Sequence, residues 1–175
     1  GASVPPAFKK YYAVCYDQQG NKSIAWNDGY LIGSAAIKVS SNDMQQFLKA
    51  AIGLEDLPLS ITNAMRMTQL PYVNVDCIKH GLAWEISDLN AFNNNRSFDC
   101  TNGIEATMID TNKRIFDPNA LYEKGGTTHG FHAFIAVIPG KKSGIAIMIN
   151  KRRYNGWKVL KKLGRDILIQ SFETH

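Results

Sequence analysis

The sequence has no run approaching the roughly 18–20 uninterrupted apolar residues that a helix needs to cross a bilayer. Its start, Gly1-Ala2-Ser3-Val4-Pro5-Pro6, lacks the basic-then-apolar pattern of a secretion leader. A soluble chain with no membrane span is expected, and any export signal of the native protein is expected upstream. Cysteines are scarce as well: Cys15, Cys77 and Cys100 stand too far apart for a zinc or redox motif. Their odd number leaves at least one thiol unpaired unless it bonds another chain. Acidic residues are missing from Lys141 to Arg165, where Lys141, Lys142, Lys151, Arg152, Arg153, Lys158, Lys161, Lys162 and Arg165 form a basic stretch. Only the aromatics Tyr154 and Trp157 fall among those charges, and no regular interleaving or nucleic-acid-binding module is evident, so a solvated helix face is the reading and nucleic acid is not an expected partner. What remains, 175 residues with 45% hydrophobic and 20% charged side chains, suits one globular domain over 1–175 and argues against repeats or disorder.

Hydrophobic periodicity divides the chain. Tyr11 to Tyr16 and Ser23 to Trp26 are β-prone runs around turn residues Asp17 to Asn21, which predicts a hairpin. Gly29 to Gly33 reads as a glycine-bounded loop. Met44, Phe47, Leu48, Ala51 and Ile52 then fall on one helical stripe, opened by a capping box of Ser40 with Asp43 and closed by Gly53. A second helix is predicted from Ser60, with Ile61, Ala64 and Met65 inward, ending before Pro71. Gly81 to Ser87 reads as a strand, and the asparagine-rich stretch from Asp88 to Asn119 as loops with a short strand at Ala106 to Ile109. Phe131 to Ile138 and Ile145 to Ile149 are strong strands joined by turn chemistry at Pro139 to Gly144. The last helix, after Asn155-Gly156, is expected to bury Trp157, Leu160, Leu163 and Ile167 and to expose Lys158, Lys161, Lys162 and Arg165. Segregated strands and helices with hairpin links predict an α+β fold, an antiparallel sheet packed with helices.

Chemistry concentrates just before the strong strand, in Lys124-Gly125-Gly126-Thr127-Thr128-His129-Gly130-Phe131. Small residues at a strand edge let a ligand approach the backbone. The lysine adds a positive charge, the threonines add hydroxyls, and free backbone N–H groups can stabilise a developing oxyanion.

This segment resembles the lysine–threonine–glycine box of class C β-lactamases and related penicillin-binding proteins. Gly81-Leu82-Ala83-Trp84-Glu85 is similar to that family's glycine-leucine-glycine-tryptophan-glutamate segment, and Ser40 to Leu48 to its helix opening with aspartate and methionine. Pro139 to Lys151 is similar to its last hairpin, and a basic amphipathic helix closes both. The resemblance runs in order from about Phe8 to Gln170. It implies a β-lactamase/transpeptidase-like fold. It also implies electrostatic support of a serine nucleophile by Lys124 and an oxyanion-hole donor at the Thr127 N–H. Gly125, Gly126, Thr128 and Asn155 are the implied substrate-binding positions. Gly125 departs from the family's central threonine, whose hydroxyl helps hold the substrate carboxylate. This removes a hydrogen bond to a charged group, worth ~1.5–3 kcal/mol, unless Thr127 or Thr128 compensates.

A second departure is the nucleophile. No serine here has a lysine three residues later, and Ser34 and Lys38 are four apart. Tyr72-Val73-Asn74 matches a tyrosine-x-asparagine motif but follows the two helices, where the family's motif precedes them. Both motifs belong to the family's N-terminal portion, so the sequence is expected to begin downstream of them. The resemblance thus implies the C-terminal portion of a serine β-lactamase, inactive alone, periplasmic or secreted. β-Lactam or peptidoglycan-like substrates would bind only when the missing portion is supplied. Self-association or a complementary N-terminal chain is the expected partner. A non-catalytic remnant or binding module, or part of a D-alanyl-D-alanine peptidase or esterase, is the alternative. No cofactor or metal is expected: His129 and His132 have the spacing of a metal pair but lie across a strand boundary, without carboxylates nearby. Asp99, Glu105, Asp110 and Asp117 read as solvated charges, and Tyr11, Tyr12 and Tyr16 as sheet packing.

Overall fold

The computed structural model describes residues 3–26, 32–75, 78–89 and 105–173. Among these residues, helices α1 (Ile32–Ala35), α2 (Ser41–Ile52), α3 (Leu59–Thr68) and α4 (Gly156–Glu173) accompany nine strands. A two-stranded ribbon pairs β1 (Cys15–Tyr16) with β2 (Lys22–Ser23). The remaining strands are β3 (Val73–Val75), β4 (Ile78–His80), β5 (Glu85–Ser87), β6 (Thr107–Met108), β7 (Leu121–Thr127), β8 (His132–Ile138) and β9 (Ser143–Ile149). They form one seven-stranded antiparallel sheet in the order β6-β3-β4-β5-β7-β8-β9. The α+β class read from the sequence is the class observed. By packing, the chain resolves into two interleaved units: Gly1–Gln45 with Gly125–Ile135 and Ala146–Glu173, and Gln46–Lys124 with Ala136–Ile145.

In the first of these units, β8 turns His132 and Phe134 toward α4. A Cβ at Gly156 would stand 2.7 Å from His132 Nε2, and one at Gly164 would collide with the Phe134 ring. Leu160 and Leu168 complete that buried stripe. The buried stripe is rotated from the expected one: Arg165 is buried at 7% exposure, whereas Trp157 is 45% and Leu163 and Ile167 are each 46% exposed. The reason is that glycine at 164 lets the helix settle onto an aromatic ring, and this contact, not the widest apolar arc, sets the rotation of α4. The first hairpin is also shorter than expected. Pro6–Tyr11 forms a 3-10 helix with proline in its first turn, which removes Tyr11 and Tyr12 from the strand. Cys15 is a buried free thiol whose Sγ donates to Ser23 O at 3.1 Å, while Cys77 and Cys100 lie outside the described residues.

The second unit is organised by rings. Phe47 stacks on Trp84, Trp84 meets Tyr122 edge-on, and Phe116 stacks on Tyr122 with the Arg66 guanidinium 3.7 Å above its centre. The Tyr122 hydroxyl donates to Asp117 O at 2.8 Å, and burial pushes its pKa up to about 12. The α2 capping box, which belongs to the first unit, forms as read: Ser40 N donates to Asp43 Oδ2 at 2.8 Å and Asp43 N donates to Ser40 Oγ at 3.2 Å. Gly53, at φ +79, ends the helix. In α3, by contrast, Ile61 and Ala64 are exposed and only Met65 is half-buried. Fully buried Gln69 holds the end of α3, donating to Ala51 O and accepting from Arg66 Nη1, both at 2.9 Å.

The strand expected from Gly81 begins only at Glu85, because Ala83 sits at φ 73 in the left-handed region. Only glycine occupies that region without Cβ strain. Ala83→Gly is expected to raise stability by about 1 kcal/mol, read as a higher midpoint in urea unfolding; an unchanged or lower midpoint would show that the turn is not strained. A second outcome concerns His132, which is 3% exposed. Burial holds its imidazole below the ordinary value of 6.5, and the Arg152 charge acts in the same direction. The unfolded chain binds a proton that the folded one resists, so this stability is fully present above pH 6.5 and is lost as pH falls below that value. Melting temperature should therefore drop from pH 7 to 5, and His132→Asn should flatten the profile; parallel profiles would contradict it.

Candidate functional site

Strand β7 carries the box. Its pairing with β5 runs Ser87↔Leu121, Ile86↔Tyr122, Glu85↔Glu123 and stops there, so Lys124 to Thr127 continue beyond the end of β5. At the hairpin to β8, Thr128 N donates to Phe131 O at 2.9 Å. Backbone donors alternate along a strand, so the N–H of Thr127 faces away from β8, toward the side where β5 has ended. That is the orientation an oxyanion donor requires. Gly126 has nothing within 4 Å of a would-be Cβ, and Gly125 meets only Ala133 O at 3.9 Å, so the strand surface here is open.

Lys124 lies on the sheet with its ammonium 3.6 Å from Glu85 Oε1 and its side chain half exposed. A carboxylate at this distance orients the ammonium. Thr127 and Gly125, two apart on the strand, share one face. The Thr127 hydroxyl lies 2.8 Å from His132 Nδ1. His132 Nε2 in turn accepts the Arg153 N–H at 3.0 Å. Thr128, one residue on, belongs to the other face. Asn155 stands at the entry to α4 with φ 53, and its carbonyl accepts from the N–H groups of Lys158 and Val159. Of the expected positions, Lys124 through Thr128 are contiguous, and a hydrogen-bonded chain through His132 joins Thr127 to the turn that holds Asn155.

His129 and His132 engage different partners. His129 is exposed and stacks on Trp26 at 5.5 Å, whereas His132 is buried beneath Thr127. Among the described residues no cluster of His, Cys, Asp or Glu could hold a metal ion. Asp110 pairs with Lys113, the Asp117 carboxylate caps the turn to Asn119, and Asp99 lies outside the described residues. Tyr72 and Asn74 serve the sheet: the Tyr72 ring carries Arg114, and Asn74 sits between Lys79 and Thr107. Ser34 falls inside the one-turn helix α1, which no capping signal announced. Sequence reasoning treated His132 as an ordinary histidine and overlooked Glu85. The glutamate was findable, since it ends a segment already singled out. An open cavity of about 400 Å³ is lined by Asp17, Gln18, Gln19, Ser23, His129 and Arg152, but by none of Lys124 to Thr127.

No family model matches the chain. It is 28% identical over 162 residues to a β-lactamase of Pseudomonas fluorescens, covering 90% of this chain and 45% of that protein. It is 29% identical over 163 residues to a β-lactamase of Psychrobacter immobilis, covering 89% and 40%. Among solved structures, a β-lactamase/D-alanine carboxypeptidase from Pseudomonas syringae superposes with a TM-score of 0.81 at 26% identity, over 97% of this chain and 48% of the other. A class C β-lactamase in complex with cefoxitin superposes with a TM-score of 0.79 at 25% identity, over 97% and 48%. The chain thus spans about half the length, or less, of the proteins it matches. In sequence and in fold, the chain is a relative of the class C β-lactamases, corresponding to the C-terminal part of their structure.

Proposed function

We propose that this chain supplies the sheet side of a serine acyl-transfer site that hydrolyses β-lactam amides, with the nucleophile contributed by an N-terminal portion. The observation that carries this reading is the overhang of Lys124 to Thr127 beyond β5, with the Thr127 N–H turned to the open side. In the assembled site a serine oxygen attacks the lactam carbonyl carbon, and its proton passes to a base. Negative charge gathers on the carbonyl oxygen, where the Thr127 N–H donates to it. Collapse breaks the C–N bond, the nitrogen takes up the proton, and water later hydrolyses the ester. Lys124, oriented by Glu85, stabilises the anionic groups along this path. Removing an oxyanion donor from such a site costs about 100–1000-fold in rate, so the placement of one N–H matters.

Gly125 favours a second reading, a non-catalytic binding module that has kept the sheet. A D-alanine carboxypeptidase or esterase would use the same strand chemistry, and one structural neighbour is described as both β-lactamase and D-alanine carboxypeptidase. The incomplete coverage also supports a partner. β9 ends the strand order, and Val159, Leu163 and Ile167 remain exposed at i, i+4 and i+8 along α4. A complementary N-terminal chain, or a second copy, would cover such surfaces, and the location that goes with this reading is periplasmic or secreted. Among the described residues no helix is long and apolar enough to cross a membrane.

The experiment is complementation. Alone, the chain should neither turn over nitrocefin nor form a covalent penicillin adduct, and co-expression with the upstream gene segment should restore hydrolysis. An acyl adduct on the chain alone would overturn the split-site reading. A folded but inactive complex would favour the binding module.

A further inference from the structure

His132 is a buried polar group beside the box strand that the acyl-transfer reading leaves unused. Its two ring nitrogens have different partners, and this determines where its proton sits. Nε2 accepts the Arg153 N–H at 3.0 Å and so carries no proton. The neutral ring, which burial favours, must then hold its proton on Nδ1, facing Thr127 Oγ1 at 2.8 Å. The Thr127 oxygen is therefore an acceptor in this contact, and its own hydroxyl proton is directed elsewhere.

Position makes that proton useful. Thr127 shares a face of β7 with Gly125, where the resembling family places the hydroxyl this chain lacks. On the far side of the ring, the would-be Cβ of Gly156 lies 2.7 Å from Nε2, so glycine there lets the start of α4 close onto His132. Asn155 immediately precedes it.

We propose that His132 is a positioning residue that fixes the Thr127 hydroxyl as a donor to the carboxylate of a substrate. It thereby replaces the hydroxyl missing at Gly125 and ties the Asn155–Gly156 turn to the box strand. The identity of the anion rests on the acyl-transfer reading; the hydrogen-bond chain does not.

Two measurements separate them. Long-range proton–nitrogen spectra of the 175-residue chain, labelled at histidine, should show His132 as the Nδ1–H tautomer, and Thr127→Val should shift that signal while those of His80 and His129 stay in place. An Nε2–H tautomer, or an unmoved signal in T127V, overturns the proposal. In the chain complemented by the upstream segment, His132→Leu should raise the KM for nitrocefin about tenfold, as befits one lost hydrogen bond to a charged group, with kcat little changed. His132→Asn, which keeps an N–H where Nδ1 stands, should recover most of that loss. Equal effects of both variants, or a loss confined to kcat, would reduce His132 to packing. If the complemented wild-type chain turns nothing over, the acyl-transfer reading and the carboxylate assignment fail together, while the spectra still decide whether the hydrogen-bond chain exists.

Discussion

The candidate chemistry depends on where one strand pairing stops. β5 follows β7 only as far as Glu85 opposite Glu123, and four more residues of β7 run on without it. Had β5 been four residues longer at that end, the outward N–H groups of Gly125 and Thr127 would be spent on ladder hydrogen bonds, which backbone groups rarely forgo. β5 is kept short by the turn ahead of it. Ala83 is left-handed, Gly81 N donates to Trp84 O, and the Gly81 Cα lies so close to Thr68 O that any side chain would collide. The glycine and the strained alanine of this turn therefore act on the site at a distance, through register.

This also explains what could be read in advance. The hairpin of β8 and β9 and the capped helix α2 were legible because local signals agree there: alternation, turn residues and a capping pair all favour one answer. The ribbon at Cys15 and the strand at Glu85 were overextended. Their ends are set by proline in one case and by a left-handed residue in the other, and neither interrupts a run of β-prone side chains. The rotation of α4 was misjudged because periodicity ranks helix faces by hydrophobicity, whereas the observed face is chosen by Gly164 fitting over Phe134. Residues such as Leu163 and Ile167 then remain outside, apolar without being core.

At the site, the resemblance to the lysine–threonine–glycine box marked Lys124 and Thr127 together, but not what holds them. Glu85 is far in sequence and reaches Lys124 only through sheet order. His132 follows Thr127 by five residues, and the tight hairpin places it directly opposite. Its significance depends on which nitrogen is protonated, a property settled by the Arg153 N–H and therefore invisible in one dimension. Gly125, read alone as a loss, stands two residues from a hydroxyl on the same face.

Amide hydrogen exchange resolved at single residues reads directly whether the Thr127 amide is left unpaired where β7 outruns β5. In the 175-residue chain, Thr128, bonded to Phe131, should be strongly slowed, while Thr127 should exchange near the rate of an unprotected amide. Equal protection at the two positions would mean that the Thr127 N–H already has a partner, and the strand could not serve as the rim of an oxyanion site.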